Sequence, residues 1–139
     1  MDYRRFEDTI LLRLDRGEDI HEKLEELASK EKINLALVQG IGALDKVTLG
    51  SYTLRDNDYK EENFEGEFEL INLSGNISTK EDEFYAHLHV CLGDSEMKVF
   101  GGHLVKGQIA LTGELFIKVI DGRADREKDR DLGINVLEF

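Results

Sequence analysis

The run Phe84-Tyr85-Ala86-His87-Leu88-His89-Val90-Cys91-Leu92 decides how this chain is read. Ala86, Leu88, Val90 and Leu92 are apolar, and Tyr85, His87, His89 and Cys91 occupy the positions between them. Such alternation belongs to a β-strand with one face on a core, because successive side chains point to opposite sides. His87 and His89 therefore share the other face, with Cα atoms roughly 6.6 Å apart. Gly93-Asp94-Ser95-Glu96 reads as a turn, and Met97 to Val105 as a returning strand that carries Gly101-Gly102-His103. Three of the four histidines thus fall within 17 residues.

Pairing the two strands brings the histidines together. If Gly93 opposes Met97 across a three-residue loop, His87 falls opposite His103, and directly opposed residues share a face. A two-residue loop would need a bulge, at Gly101-Gly102, to restore that arrangement. Converging neutral imidazoles are the donor set of a borderline-soft cation such as zinc, so His87, His89 and His103 are the candidate metal ligands. The competing reading is a set of hydrogen-bonded histidines at a subunit contact.

Three ligands leave a coordination position for water or a small ligand. Cys91, about four residues' rise from His87, reads as a buried thiol rather than a fourth ligand. An open zinc site can activate water or polarise a carbonyl. Hydrolysis or decarboxylation would also need a general acid or base, for which Glu114 is the candidate. No serine or cysteine nucleophile motif and no phosphate-binding loop accompanies them.

The chain has 139 residues with 30 Asp and Glu, 18 Lys and Arg, and a net charge of −12. This is one domain, 1–139, large enough for a core without staples. Its negative surface disfavours phosphate backbones and anionic membranes as partners. Cys91 is the single cysteine, which excludes an internal disulfide and suits the cytoplasm. No stretch has the length and apolarity of a membrane span or a signal peptide.

Further elements follow from the same patterns. Thr9 to Leu14 predicts a strand ended by Asp15-Arg16-Gly17. Asp19 is a helix N-cap with Glu22 three residues on, and Ile20, Leu24, Leu27 and Ala28 make a helical apolar stripe ending near Lys30. His21 lies off that stripe and reads as exposed. Ile33 to Val38 and Val47 to Leu54 predict strands separated by backbone turning at Gly40-Ile41-Gly42-Ala43.

Asp56 to Glu65 reads as an exposed loop, and Phe68 to Leu73 as a strand closed by Ser74-Gly75-Asn76. Gln108 to Val119 is the longest strand candidate, with Ile109, Leu111, Leu115, Ile117 and Val119 on one face. Asp121 to Asp131, with five acids and four bases, reads as a solvated connector, and Leu132 to Phe139 as a last strand. The fold class is α+β: a largely antiparallel sheet of about seven strands with one main helix packed on it.

With these motifs in order, the chain resembles the plants-and-prokaryotes-conserved (PPC) domain, the family found in plants beside AT-hook motifs. The likeness runs over 13–119. It includes Gly17-Glu18-Asp19-Ile20, Gly40-Ile41-Gly42-Ala43, Glu69 to Asn76, His87-Leu88-His89, Gly101-Gly102-His103-Leu104 and Thr112-Gly113-Glu114. The resemblance implies a homotrimer with His87, His89 and His103 near a subunit interface and zinc as their occupant.

It also implies a fold-level likeness to acetolactate decarboxylases, which hold zinc on three histidines. The family is described as DNA-binding, but this chain has no proline for an AT-hook and no basic tail. The reading is a stand-alone PPC-domain protein with a metal or small-ligand site. Its alternatives are a DNA-associated regulator acting through protein contacts and a zinc-dependent enzyme on small carbonyl or carboxylate substrates.

Overall fold

The computed structural model describes residues 1–55 and 58–139. Among them are eight strands and one helix: β1 (Asp2–Phe6), β2 (Thr9–Asp15), α1 (Ile20–Glu31), β3 (Ala36–Thr53), β4 (Asp58–Lys80), β5 (Glu83–Gly93), β6 (Val99–Val119), β7 (Asp125–Lys128) and β8 (Asn135–Glu138). The α+β class, the antiparallel sheet and the single helix are as expected. Strand β1, which pairs with β2 from Asp2↔Arg13 to Phe6↔Thr9, is an element that the sequence patterns did not signal.

The long strands close on themselves. β3 pairs with β4 and with β6, and β5 pairs with both β4 and β6, so the four form an antiparallel ring. β1 and β2 extend it beyond β6, while β7 lies parallel to β4 at Thr79↔Asp125 and carries β8. Closure removes unpaired edges where the strands are most apolar. Alternate side chains point inward, among them Val38, Leu44, Leu73, Leu88, Leu92, Leu115 and Ile117, all fully buried. Each such side chain contributes about 2 kcal/mol by leaving water.

Helix α1 adds Ile20, Leu24, Leu27 and Ala28 to this core. Asp19 caps it as expected: Oδ1 accepts from the His21 and Glu22 backbone N–H groups. Oδ2 accepts from Gly107 N–H at 3.1 Å, which ties the helix start to β6. The helix stops at Lys32, which takes the left-handed conformation at φ 55°.

Several expectations are corrected, most through bulges that bend a strand without ending it. Gly40 and Gly42 are not at a turn; they lie inside β3, beside register shifts. A Cβ on Gly42 would fall 2.5 Å from the Thr112 carbonyl oxygen, so its role is close approach to β6. Gly75 is likewise mid-strand, where a Cβ would fall 2.0 Å from the His87 carbonyl oxygen.

Of the loop expected over 56–65, positions 56 and 57 lie outside the described residues, and the rest is the start of β4. The return strands expected at 97–105 and 108–119 are one continuous β6. Leu111 is 71% exposed, because a register shift between Gly42 and Leu44 breaks the inward alternation next to it. The connector at 121–131 contains β7 and a buried Arg126. His21 is half-buried rather than exposed. Among the described residues no helix is long and apolar enough to cross a membrane.

Candidate metal centre

The histidine strands pair at the point where the ring closes. Residues Asp94–Lys98 connect them, two more than a three-residue loop, and Gly93 opposes Val99. The register therefore slides by two positions and His89, not His87, stands opposite His103. An even slide keeps every side chain on its face, so the shared face expected of the histidines survives. No bulge occurs at Gly101-Gly102. The bulge lies across from it, where Thr48↔Lys106 gives way to Leu49↔Leu104 and leaves Val105 unpaired.

That bulge sets Gly50 of β3 opposite His103. A Cβ on Gly50 would fall 1.9 Å from the Tyr59 hydroxyl oxygen, so glycine there lets Tyr59 reach over the strand. The Tyr59 ring meets His103 edge-on, with centroids 6.3 Å apart. Burial, then the neighbouring Glu61 and Tyr85, raise the Tyr59 hydroxyl above its ordinary pKa.

The three imidazoles converge. Each of His87, His89 and His103 offers a ring nitrogen, and these atoms lie within 4.8 Å of one another. Ring centroids are 5.1 to 5.5 Å apart, and the Nε2 atoms of His87 and His89 are 3.2 Å apart. Nitrogens held at zinc's usual bond length stand about 3.3 Å apart along a tetrahedral edge, a spacing that the His87–His89 pair matches.

The protonation states agree with that fit. Burial, then the charges of His87, His89 and His21, push the His103 imidazole down to about 4. Burial, then the Arg126 guanidinium and His89, lower His87 as well. Both rings are neutral at pH 7, the form that binds metal. His21, which the sequence reading set aside, lies close enough to act on His103, and its Nδ1 is buried without a hydrogen-bond partner among the described residues.

Behind His87 stands a network of five residues. Asn76 is its direct partner on β4 and accepts through Oδ1 from Arg126 Nη2 at 3.0 Å. Arg126 also donates to Ser78 Oγ and to the Asn135 carbonyl, and its guanidinium lies 4.9 Å from the Tyr85 ring centre. The Asn135 amide donates to the Tyr85 hydroxyl. The β7–β8 hairpin is thereby fixed against the histidine strand.

The histidines open into a cleft of about 680 Å³, walled by Tyr52 and Tyr59, by Tyr85, and by Ile134 and Asn135. Tyr52 donates to the Leu132 carbonyl at 2.8 Å and joins the β3–β4 hairpin to the C-terminal one. Two other candidates lie elsewhere. Cys91 is half-buried, opposite Gly101, outside the nitrogen cluster. Glu114 is exposed and lines a separate groove with Ile41, Ile71 and Leu111. Gly50, Tyr59, Lys80, Arg126 and Lys128 are the residues of this region that sequence reasoning missed.

Comparison with known proteins gives a consistent picture. A protein from Bacteroides thetaiotaomicron, provisionally described as DNA-binding, is 27% identical, with 99% of this chain and 96% of that one covered and a TM-score of 0.96. A metal-containing protein from Archaeoglobus fulgidus is 29% identical over 99% and 97%, with a TM-score of 0.89. A plant- and prokaryote-conserved protein from Pyrococcus horikoshii is 32% identical over 99% and 94%, with a TM-score of 0.86. None of the curated proteins matches. The Plants and Prokaryotes Conserved (PCC) domain matches residues 1–121, histidine strands included, and the chain belongs to that family.

Proposed function

We propose that this protein is a metal-binding module that holds one zinc ion on His87, His89 and His103 and presents it to a small molecule in the adjoining cleft. The observation that carries the reading is the convergence of three ring nitrogens within 4.8 Å. An all-nitrogen donor set suits zinc and not magnesium or calcium, which take oxygen ligands. Bound zinc supplies Lewis acidity at its open position. The chain's own residues orient and support it: Asn76 and Arg126 brace His87, and Tyr59 packs against His103. The metal content of the Archaeoglobus relative supports the same reading.

The module acts as a self-associated trimer in the cytoplasm. Support for association comes from the outer sheet face, where Leu37, Ile41, Ile71, Leu111 and Phe116 are each about half exposed or more. Contiguous apolar surface of this kind marks an interface. Direct DNA binding is not part of the reading, because a net charge of −12 opposes it. The Bacteroides relative is provisionally described as DNA-binding, which keeps a second role in view for this chain, that of a DNA-associated regulator acting through protein contacts.

The deciding experiment is metal analysis of protein prepared without a histidine tag, as wild type and His89→Ala. Zinc near one per chain in wild type and near zero in the variant supports the site. Metal-free wild type that takes up no added zinc would refute it.

A further inference from the structure

We propose that the cleft over the histidines binds a small organic carboxylate, whose charged group is received by Lys80 and Lys128. The inference rests on the metal reading for one anchoring point only, the open coordination position. The rest comes from the cleft itself.

Its lining departs from the composition of the chain. Acidic residues are 30 of 139, so fourteen lining residues drawn at random would include about three. The cleft has none, and it has two lysines. Neither Lys80 nor Lys128 makes an ion pair among the described residues, whereas five other lysines do. The two come from different places, Lys80 from the end of β4 and Lys128 from the end of β7. Lys80 is half-buried and Lys128 is exposed.

Arg126 adds positive charge without consuming a carboxylate. It is buried, and its hydrogen bonds go to Ser78, Asn135 and Asn76, all neutral acceptors. Two lysines without ion pairs and a buried guanidinium make a cationic spot on an acidic molecule. A cationic concavity of this kind concentrates small anions.

The walls select the kind of anion. Tyr52, Tyr59, Tyr85 and Ile134 present rings and apolar surface that a carbon skeleton can use and inorganic phosphate cannot. The guanidinium fork that would favour phosphate is already engaged by neutral partners. Four of the fourteen lining residues, Lys128, Gly133, Ile134 and Asn135, lie beyond residue 121, where the family match ends. The C-terminal hairpin thus supplies one of the two lysines and one side of the wall.

Titration calorimetry on the zinc-loaded protein tests the proposal, with succinate and benzoate as probes and benzamide and inorganic phosphate as comparators. At least one carboxylate should bind with millimolar affinity or better, and benzamide should not. The Lys80→Gln/Lys128→Gln variant, with unchanged circular dichroism and unchanged zinc content, should weaken carboxylate binding tenfold or more.

Zinc-loaded protein with no lysine-dependent carboxylate binding would overturn this inference and leave the metal reading intact. Phosphate binding as tightly as the carboxylates, with the same lysine dependence, would overturn the carboxylate class. Lysine-dependent binding by a protein that takes up no zinc would support the anion site and overturn the metal reading.

Discussion

His89 stands directly opposite His103 across the β5–β6 pair, while His87 sits two residues along the same face. Two strands therefore contribute to one donor set, and a metal held there fastens the strand pair that closes the ring. Metal at a hundredfold excess over its Kd would add about 2.7 kcal/mol of stability. For a chain of this size that is roughly 8 °C in melting temperature. Thermal scans with zinc and with chelator should differ by that order in wild type. They should coincide in His89→Ala, whose exposed side chain leaves the fold intact.

Acid should destabilise the metal-free protein before it titrates the carboxylates. In the unfolded chain His103 takes up its proton near 6.5, but in the fold only near 4. The unfolded state then binds more protons across that window, so stability is level above about 6.5 and falls as pH drops towards 4. Burial of His21 acts in the same direction. Glu26, held down to about 2 by Lys23 and Lys30, adds its loss only below the ordinary glutamate range. Urea midpoints in chelator should fall from pH 7 to pH 5, and less so in His103→Asn; equal wild-type midpoints would contradict this.

Gly75→Ala should be among the most damaging single-methyl changes. The added carbon meets the His87 carbonyl oxygen and must separate β4 from β5. Overpacking against backbone costs about 1–3 kcal/mol. Denaturant unfolding should show a loss at the upper end of that range, together with reduced zinc affinity, because His87 moves with its carbonyl.

Arg126→Met should loosen the C-terminal hairpin and spare the ring. The substitution strands Asn76 Oδ1, Ser78 Oγ and the Asn135 carbonyl, for a loss of about 2–3 kcal/mol. Hydrogen exchange should accelerate over 125–138 and remain slow in β3 and β6.

Gel shifts with duplex DNA should show no complex even at low salt, where phosphate contacts are strongest. A complex that weakens steeply with added salt would establish direct binding and refute the charge argument.

Local chemistry alone revealed α1, since Asp19 and the stripe from Ile20 to Ala28 need no distant partner to be recognised. The shared face of His87 and His89 was equally plain, because strand parity is a property of the strand itself. Register was harder to read. The loop has five residues and not three, as the Asp94 side chain accepts from the backbone N–H groups of Glu96 and Lys98 and holds a longer turn. Glycines read as turns proved to be points of close approach, a role visible only once the neighbouring strand is in place.

The sequence by itself determined the helix and the alternating strand that puts His87 and His89 on one face, because each rests on periodicity within one segment. Tertiary structure alone decided that His103 meets His89, that β3 to β6 close into a ring, and that Tyr59, Lys80, Arg126 and Lys128 gather around the donors. Those residues come from segments tens of positions apart. Their meeting depends on bulges, register and closure, which are set by the packing of the whole sheet and leave no periodic trace in any one strand.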